Sequence, residues 1–133
     1  MSDTTRNTQQ WLMKSANMPY AYLTTFGRST GRPHRIEIWF AVDNGRLYLM
    51  SGGRDRSDWV RNILVNPQVT TELGEETHPG IARLLEPDTV EDRLARKLLV
   101  AKYRQGNNLD EWGRNSLPVV IDFPADDSDA PPL

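Results

Sequence analysis

The 133-residue chain has the size of one domain, and at 38% hydrophobic residues it can bury a core of modest size. A formal net charge of −2 argues against general nucleic-acid binding, and the absence of cysteine excludes disulfides, thiolate zinc sites and thiol nucleophiles. No apolar run approaches the roughly 18 residues of a membrane span and the polar N-terminus lacks a signal-peptide core, so a cytoplasmic protein is expected.

Residues 7–16, NTQQWLMKSA, suit a short helix with Trp11, Leu12 and Met13 as its apolar face, and Pro19 breaks the pattern. Residues 20–26, YAYLTTF, are aromatic and β-branched, as in a strand. The turn-rich GRSTGRP follows. Residues 35–42, RIEIWFAV, begin with the alternation of a half-buried strand, Asp43-Asn44-Gly45 signals a hairpin, and 46–51, RLYLMS, is the return strand. Ser57 is expected to cap a helix that begins near Asp58, with Val60, Ile63 and Leu64 at i, i+3, i+4, which Asn66-Pro67 ends. Strands are expected at 68–73 and 77–86. Asp88 with Glu91 has the spacing of a capping box for a helix over 88–104, with Leu94, Ala95, Leu98, Leu99 and Ala101 towards the core. A short helix over 109–114 and a last strand over 116–123 complete the order.

Many short strands joined by hairpins, with a helix inserted midway, imply an antiparallel barrel with helices packed outside, a mainly β (α+β) fold. The organisation expected is an N-terminal segment with a short helix (1–18), a barrel domain (19–123) and an acidic, proline-containing tail (124–133) that is disordered.

The small net charge conceals an asymmetry. Between Gly27 and Arg61 lie seven arginines (28, 32, 35, 46, 54, 56 and 61), no lysine and four acids, whereas four aspartates and no base follow from Asp122 onwards. Two Gly/Arg loops fall in the basic part. In SGGRDRSDW, residues 51–59, the glycines let the backbone approach a ligand, the helix start offers unpaired N–H groups, and Arg54 and Arg56 carry forked donors suited to phosphate oxygens. The stretch fits an anion cradle, and equally an ordinary strand-to-helix loop with solvated arginines. GRSTGRPHR, residues 27–35, is the second such loop, and its Ser29 and Thr30 hydroxyls can donate to oxygens. Neither loop has the Walker or G-x-G-x-x-G pattern. If the two lie on adjacent strands they converge on one phosphorylated ligand. His34 and Glu37, three apart on a strand, point to opposite faces, which argues against a shared metal, and two histidines with no G-x-S-x-G argue against a hydrolase triad. Trp39, Trp59 and Tyr103 suit either core packing or the apolar walls of a site for a flat heterocycle.

The run YLTTFGRSTGRPHRIEIWF, followed by DNGRLYLMSGGRDRSDWVRNILVNPQVTTELG and the closing L-P-V-V, resembles the deazaflavin-dependent nitroreductase family over roughly residues 19–123. The resemblance implies a split β-barrel related to the FMN-binding pyridoxamine-phosphate oxidases, and binding of coenzyme F420, a deazaflavin with a phosphate and an acidic oligoglutamate tail. It points to Arg28, Ser29 and Thr30 on the coenzyme, Glu37, Ile38 and Trp39 along its ring, Ser51, Gly52, Gly53 and Arg54 at its phosphate, Trp59 with Arg61 beside it, and Tyr103 on the substrate side as the candidate catalytic residue. The chain departs from the pattern in having Ser29 where a lysine is common, His34 where an arginine is common, a shorter SGGRDRSDW loop, and Glu37 where an apolar residue or proline is common. An acid at that position either repels an anionic coenzyme or faces away from it.

The function this implies is hydride transfer from reduced F420 to an electron-poor small molecule such as an enone, quinone or nitro compound, with the hard chemistry supplied by the coenzyme. The alternatives are a coenzyme carrier without turnover and an FMN-dependent oxidoreductase. Either a monomer or a homodimer is compatible with the sequence.

Overall fold

The computed structural model describes residues 3–105 and 107–123, so the tail expected to be disordered lies outside the described residues. Helix α1 (Asp3–Ser15) leads into strands β1 (Ala21–Phe26), β2 (Pro33–Ile38), β3 (Ala41–Asp43) and β4 (Arg46–Ser51). A single 3₁₀ turn (Arg54–Arg56) opens into α2 (Asp58–Val65), and β5 (Gln68–Leu73), β6 (Glu76–Leu84), α3 (Val90–Tyr103), α4 (Asp110–Asn115) and β7 (Leu117–Asp122) follow.

All seven strands pair antiparallel in one sheet, in the order β2-β1-β5-β6-β7-β4-β3. The strand expected over 35–42 is therefore two strands on opposite edges of the sheet, joined by Trp39 and Phe40 alone. Three Cα steps from Ile38 to Ala41 span at most about 11 Å, so the sheet must curl until its edges nearly meet. The result is a half-barrel with flanking helices, the split β-barrel that the resemblance implied. The β3–β4 hairpin pairs Asp43 with Arg46. Asn44 and Gly45 both take positive φ, 52° and 76°, as a two-residue turn of the primed type requires.

The concave side holds the main core, with Leu23 of β1, Leu47 and Leu49 of β4, Val119 and Ile121 of β7, and Phe40 from the crossover. Helix α1 plugs one end. Trp11 and Leu12 are buried, the Trp11 indole N–H donates to the Leu73 carbonyl at 2.8 Å, and its ring stacks on His78 at 4.0 Å. Met13, expected on that apolar face, is 76% exposed, and Ser15 completes the buried stripe.

Tyr48, Met50 and Val120 alternate to the convex side and meet Ala95 and Leu99 of α3. β4 and β7 are thus covered on both faces, which is why they read as unbroken apolar runs. Leu94 and Leu98 pack at the margin of this cluster, while Ala101 is exposed rather than core-facing. The α3 cap is displaced by one residue from the expected box. Thr89 is the N-cap and accepts from Asp92 N, Asp88 N donates back to the Asp92 carboxylate, and Glu91 is released for other partners. Those partners form a ring of charge. Arg46 reaches Glu91 (3.0 Å) and Asp122 (3.2 Å), Arg83 reaches the same two acids (3.1 and 2.7 Å), and the Tyr48 hydroxyl donates to Glu91 at 2.8 Å. Burial, with the bond to Glu91, pushes the Tyr48 phenol up to about 12.

Candidate functional site

Residues 27–32 fold on themselves because Gly31 takes φ 73°, letting its N–H donate to the Gly27 carbonyl while Gly27 N–H donates to Arg32 O. The loop is anchored by α2. Asn62, 3% exposed, donates through its side-chain nitrogen to Thr25 Oγ1 at 3.0 Å. Its oxygen accepts from the Arg28 backbone N–H (3.2 Å) and from the Arg28 guanidinium (2.8 Å), which also meets Asp58 at 3.3 Å. One buried amide thus fixes both the path of the loop and the direction of its first arginine. The sequence signal was present, since a polar residue occupies Asn62 between the buried Val60 and Ile63, whereas Leu64, expected in that stripe, is 58% exposed.

Between this loop, the start of β2 and α2 runs a groove of about 600 Å³. Arg28, Ser29, Thr30 and Arg32 line one side and Trp59 and Asn62 the other, with His34 and Ile36 along the strand between them. Arg32 is exposed and, among the described residues, carries no ion pair. Asp58 is the single carboxylate of the lining, and Arg28 neutralises it.

The second loop is placed differently from what adjacent strands would have required. β1 and β4, which deliver the two loops, are not neighbours in the sheet. Both loops instead reach the N-terminal end of α2. Ser51 is buried, its hydroxyl donates to Arg54 O at 2.9 Å and lies 2.7 Å from the Ser57 hydroxyl, so Ser57 holds the loop rather than capping the helix with its side chain. A Cβ at Gly53 would lie 2.6 Å from Ser57 Oγ, so a larger residue there would displace the hydroxyl that meets Ser51. Arg54, not a glycine, takes the left-handed conformation (φ 55°), and its guanidinium donates to the Asn115 carbonyl at the end of α4 at 2.6 Å. Arg56 and Arg61 are exposed.

A third group gathers at the β2–β3 crossover. The Trp39 ring lies parallel to that of Tyr103 (4.2 Å, 2°) and edge-on to Trp112 (5.5 Å), and Gly52 borders the same Trp112 ring. Tyr103, singled out as the catalytic candidate, has its hydroxyl committed to the main chain. It accepts from Phe40 N–H at 3.1 Å and faces the Pro19 and Phe40 carbonyls at 2.9 and 3.2 Å. Burial raises its pKa. Lys102, unremarked in the sequence, donates to Phe40 O at 3.0 Å, and burial lowers its pKa to about 8.

The site candidates therefore divide. Arg28, Ser29, Thr30 and Trp59 line the groove; Ser51 and Gly53 brace α2; Gly52 and Trp39 flank Trp112; Arg54 is turned to α4. Ile38 packs against the core, and Glu37 stands exposed on the outer face opposite Tyr22, outside the groove lining. No three metal-ligating side chains gather among the described residues, and none of the described helices is long and apolar enough to cross a membrane.

Residues 2–124 match the family model described as F420H2-dependent quinone reductase. Among solved structures, an F420H2-dependent reductase, FDR-A, is 25% identical with a TM-score of 0.64, the match covering 79% of this chain and 95% of that one. A Listeria innocua protein described as a pyridoxamine 5′-phosphate oxidase (18% identity, TM-score 0.62, 88% and 90% covered) shares the fold. So does general stress protein 26 of Bacillus anthracis (16% identity, TM-score 0.65, 86% and 88% covered).

Proposed function

The chain belongs to the F420H2-dependent quinone reductase family, whose coenzyme is F420, and from that premise we propose that the groove beside α2 receives the coenzyme while the crossover aromatics face the acceptor. The observation that carries this reading is the donor set. Arg32 and the Arg28 guanidinium, with the Ser29 and Thr30 hydroxyls, surround a groove whose other wall is the Trp59 ring and Ile36. Forked cations and hydroxyls match phosphate and carboxylate oxygens, an indole matches a flat heterocycle, and the volume falls within the usual range of about 300–1,000 Å³ for ligand sites. The residues present therefore fit an anionic deazaflavin.

When bound, the reduced coenzyme supplies the hydride. The protein's part is position and charge. Asn62 fixes the Arg28 loop before ligand arrives, so little ordering is left for the binding step. Glu37, on the outer face, keeps its charge off the groove. Trp39 and Trp112 give an electron-rich wall suited to an electron-poor acceptor, a quinone above all, with enones and nitroarenes as further candidates. Tyr103 supports that wall through its ring, and its proton is held by backbone carbonyls. Its commitment to the main chain gives the carrier reading its one specific support.

Titration of the protein with oxidised and reduced coenzyme, followed by ring absorbance, tests the first half. Oxidation of the reduced coenzyme across quinones, enones and nitroarenes tests the second. Binding with quinone turnover is expected. Binding without oxidation by any acceptor would leave a carrier, and absence of binding would overturn the assignment of the groove.

A further inference from the structure

Phe40 sits at the crossover, where neither sheet edge supplies a ladder partner. Its side chain is fully buried, so its main-chain N–H and C=O need partners from elsewhere. Two consecutive residues at the end of α3 provide them. The Tyr103 hydroxyl takes the N–H, and the Lys102 ammonium donates to the C=O. The ammonium also lies 3.4 Å from the centroid of the Phe40 ring and 5.2 Å from that of Tyr103. The residue before Phe40 is Trp39, 37% exposed, with one face on Tyr103.

We propose that Lys102 is a positioning residue for the acceptor side of the site: by gripping the Phe40 carbonyl it holds the crossover, and with it the Trp39 ring, in the orientation that presents an indole face to an acceptor. The inference rests on the functional reading above. A half-buried ammonium without a counter-ion is a poor device for stability, because its desolvation is not repaid by an ion pair. Among the described residues no carboxylate meets Lys102. On the elements packed against it, Glu91 and Asp122 are committed to Arg46 and Arg83, Asp92 to Arg96, and Asp43, Asp110 and Glu111 form no ion pair with it. Tyr48 is bound to Glu91, and Tyr103 is the titratable group in contact. Burial brings the ammonium's pKa down to about 8, so the grip weakens as the charge is lost just above neutral pH.

The test uses the full chain, its Lys102→Met and Lys102→Arg variants, and near-ultraviolet circular dichroism of the coenzyme-free protein. The Trp39 signal is identified by difference from Trp39→Leu. The expected result is a Trp39 signal that titrates between about pH 7 and pH 9 in the wild type. In Lys102→Met that titration is absent, the acceptor KM rises several-fold and coenzyme affinity stays within about twofold; Lys102→Arg restores the KM at pH 7 and removes the titration. A Trp39 difference signal unchanged by Lys102→Met at pH 7 overturns the proposal, as does an acceptor KM unmoved in a folded Lys102→Met. Failure to bind coenzyme would instead strike the reading of the groove, and the dichroism would still judge the clamp.

Discussion

Asn62→Ala is the most incisive perturbation the site offers. Asn62 is buried and makes three hydrogen bonds, one to the buried Thr25 hydroxyl and two to Arg28. Truncation leaves the buried Thr25 Oγ1 without its donor, at a cost of about 1–3 kcal/mol. The bonds to Arg28 are half-exposed, so water replaces them and they add about 0.5–1 kcal/mol. A total near 3 kcal/mol corresponds to a fall in Tm of roughly 9–15 °C for a chain of this size. Thr25→Val should partly compensate, because it removes the hydroxyl that Asn62→Ala orphans. A cycle of the two single variants and the double is expected to show a coupling of about 1 kcal/mol. The same variant frees the Arg28 loop, so coenzyme affinity should fall by about tenfold, or about 1.4 kcal/mol. Calorimetry and coenzyme titration check the two effects. A Tm within about 3 °C of wild type, less than about 1 kcal/mol for a chain of this size, would refute the claim that this amide is what fixes the groove.

Arg32 is exposed and, among the described residues, forms no ion pair, so Arg32→Ala should leave Tm unchanged while weakening coenzyme binding and its dependence on salt, read by titration at two ionic strengths. Trp11→Ala removes a buried ring, a stack on His78 and a bond to Leu73 O, and should cost about 3–5 kcal/mol in chemical denaturation. For Glu91, burial works upward but the bonds from Arg83 and Tyr48 outweigh it, and its folded pKa lies below the usual value. Its stabilisation is therefore full above about pH 4.3 and is lost as pH falls through the folded value, so the Tm gap between wild type and Glu91→Gln should be widest near neutrality and close in acid. Lys102 is also depressed, to about 8, against about 10.4 for the unfolded chain. Between those values the unfolded state binds more protons, so wild-type stability should rise with pH across that window relative to Lys102→Met, as followed by Tm against pH.

The local signals in the sequence were sound where one residue type settles the backbone. Asn44-Gly45 is such a case, because both positions need positive φ. The alternation of Arg35 to Ile38 likewise marked a half-buried strand. What alternation cannot show is where a strand leaves one edge and joins another. The change from I-E-I to the unbroken W-F-A is the local trace of that break, and it resembles ordinary burial. The α3 cap slipped by one residue because Asp88 and Thr89 are both good caps, and tertiary partners for Glu91 decided between them. The groove's arginines were legible as a basic run, but which of them would be spent internally was not. Arg54 turns to the Asn115 carbonyl, and Arg46 joins a ring of charge with residues 45 and 76 positions further on. Lys102 gave no signal at all, since its setting is created by packing of α3 against the crossover.

The two-residue joint between the outermost strands has an implication for how such chains can vary. Covalent chain length limits how far those edges can part, so Trp39 and Phe40 act as a tether whose reach is counted in residues. Side chains there can change with the choice of acceptor, but an added residue would slacken the tether by more than 3 Å and let the cylinder gape. The Asn44-Gly45 turn joins two strands that already pair with each other, so its length does not set how the sheet closes.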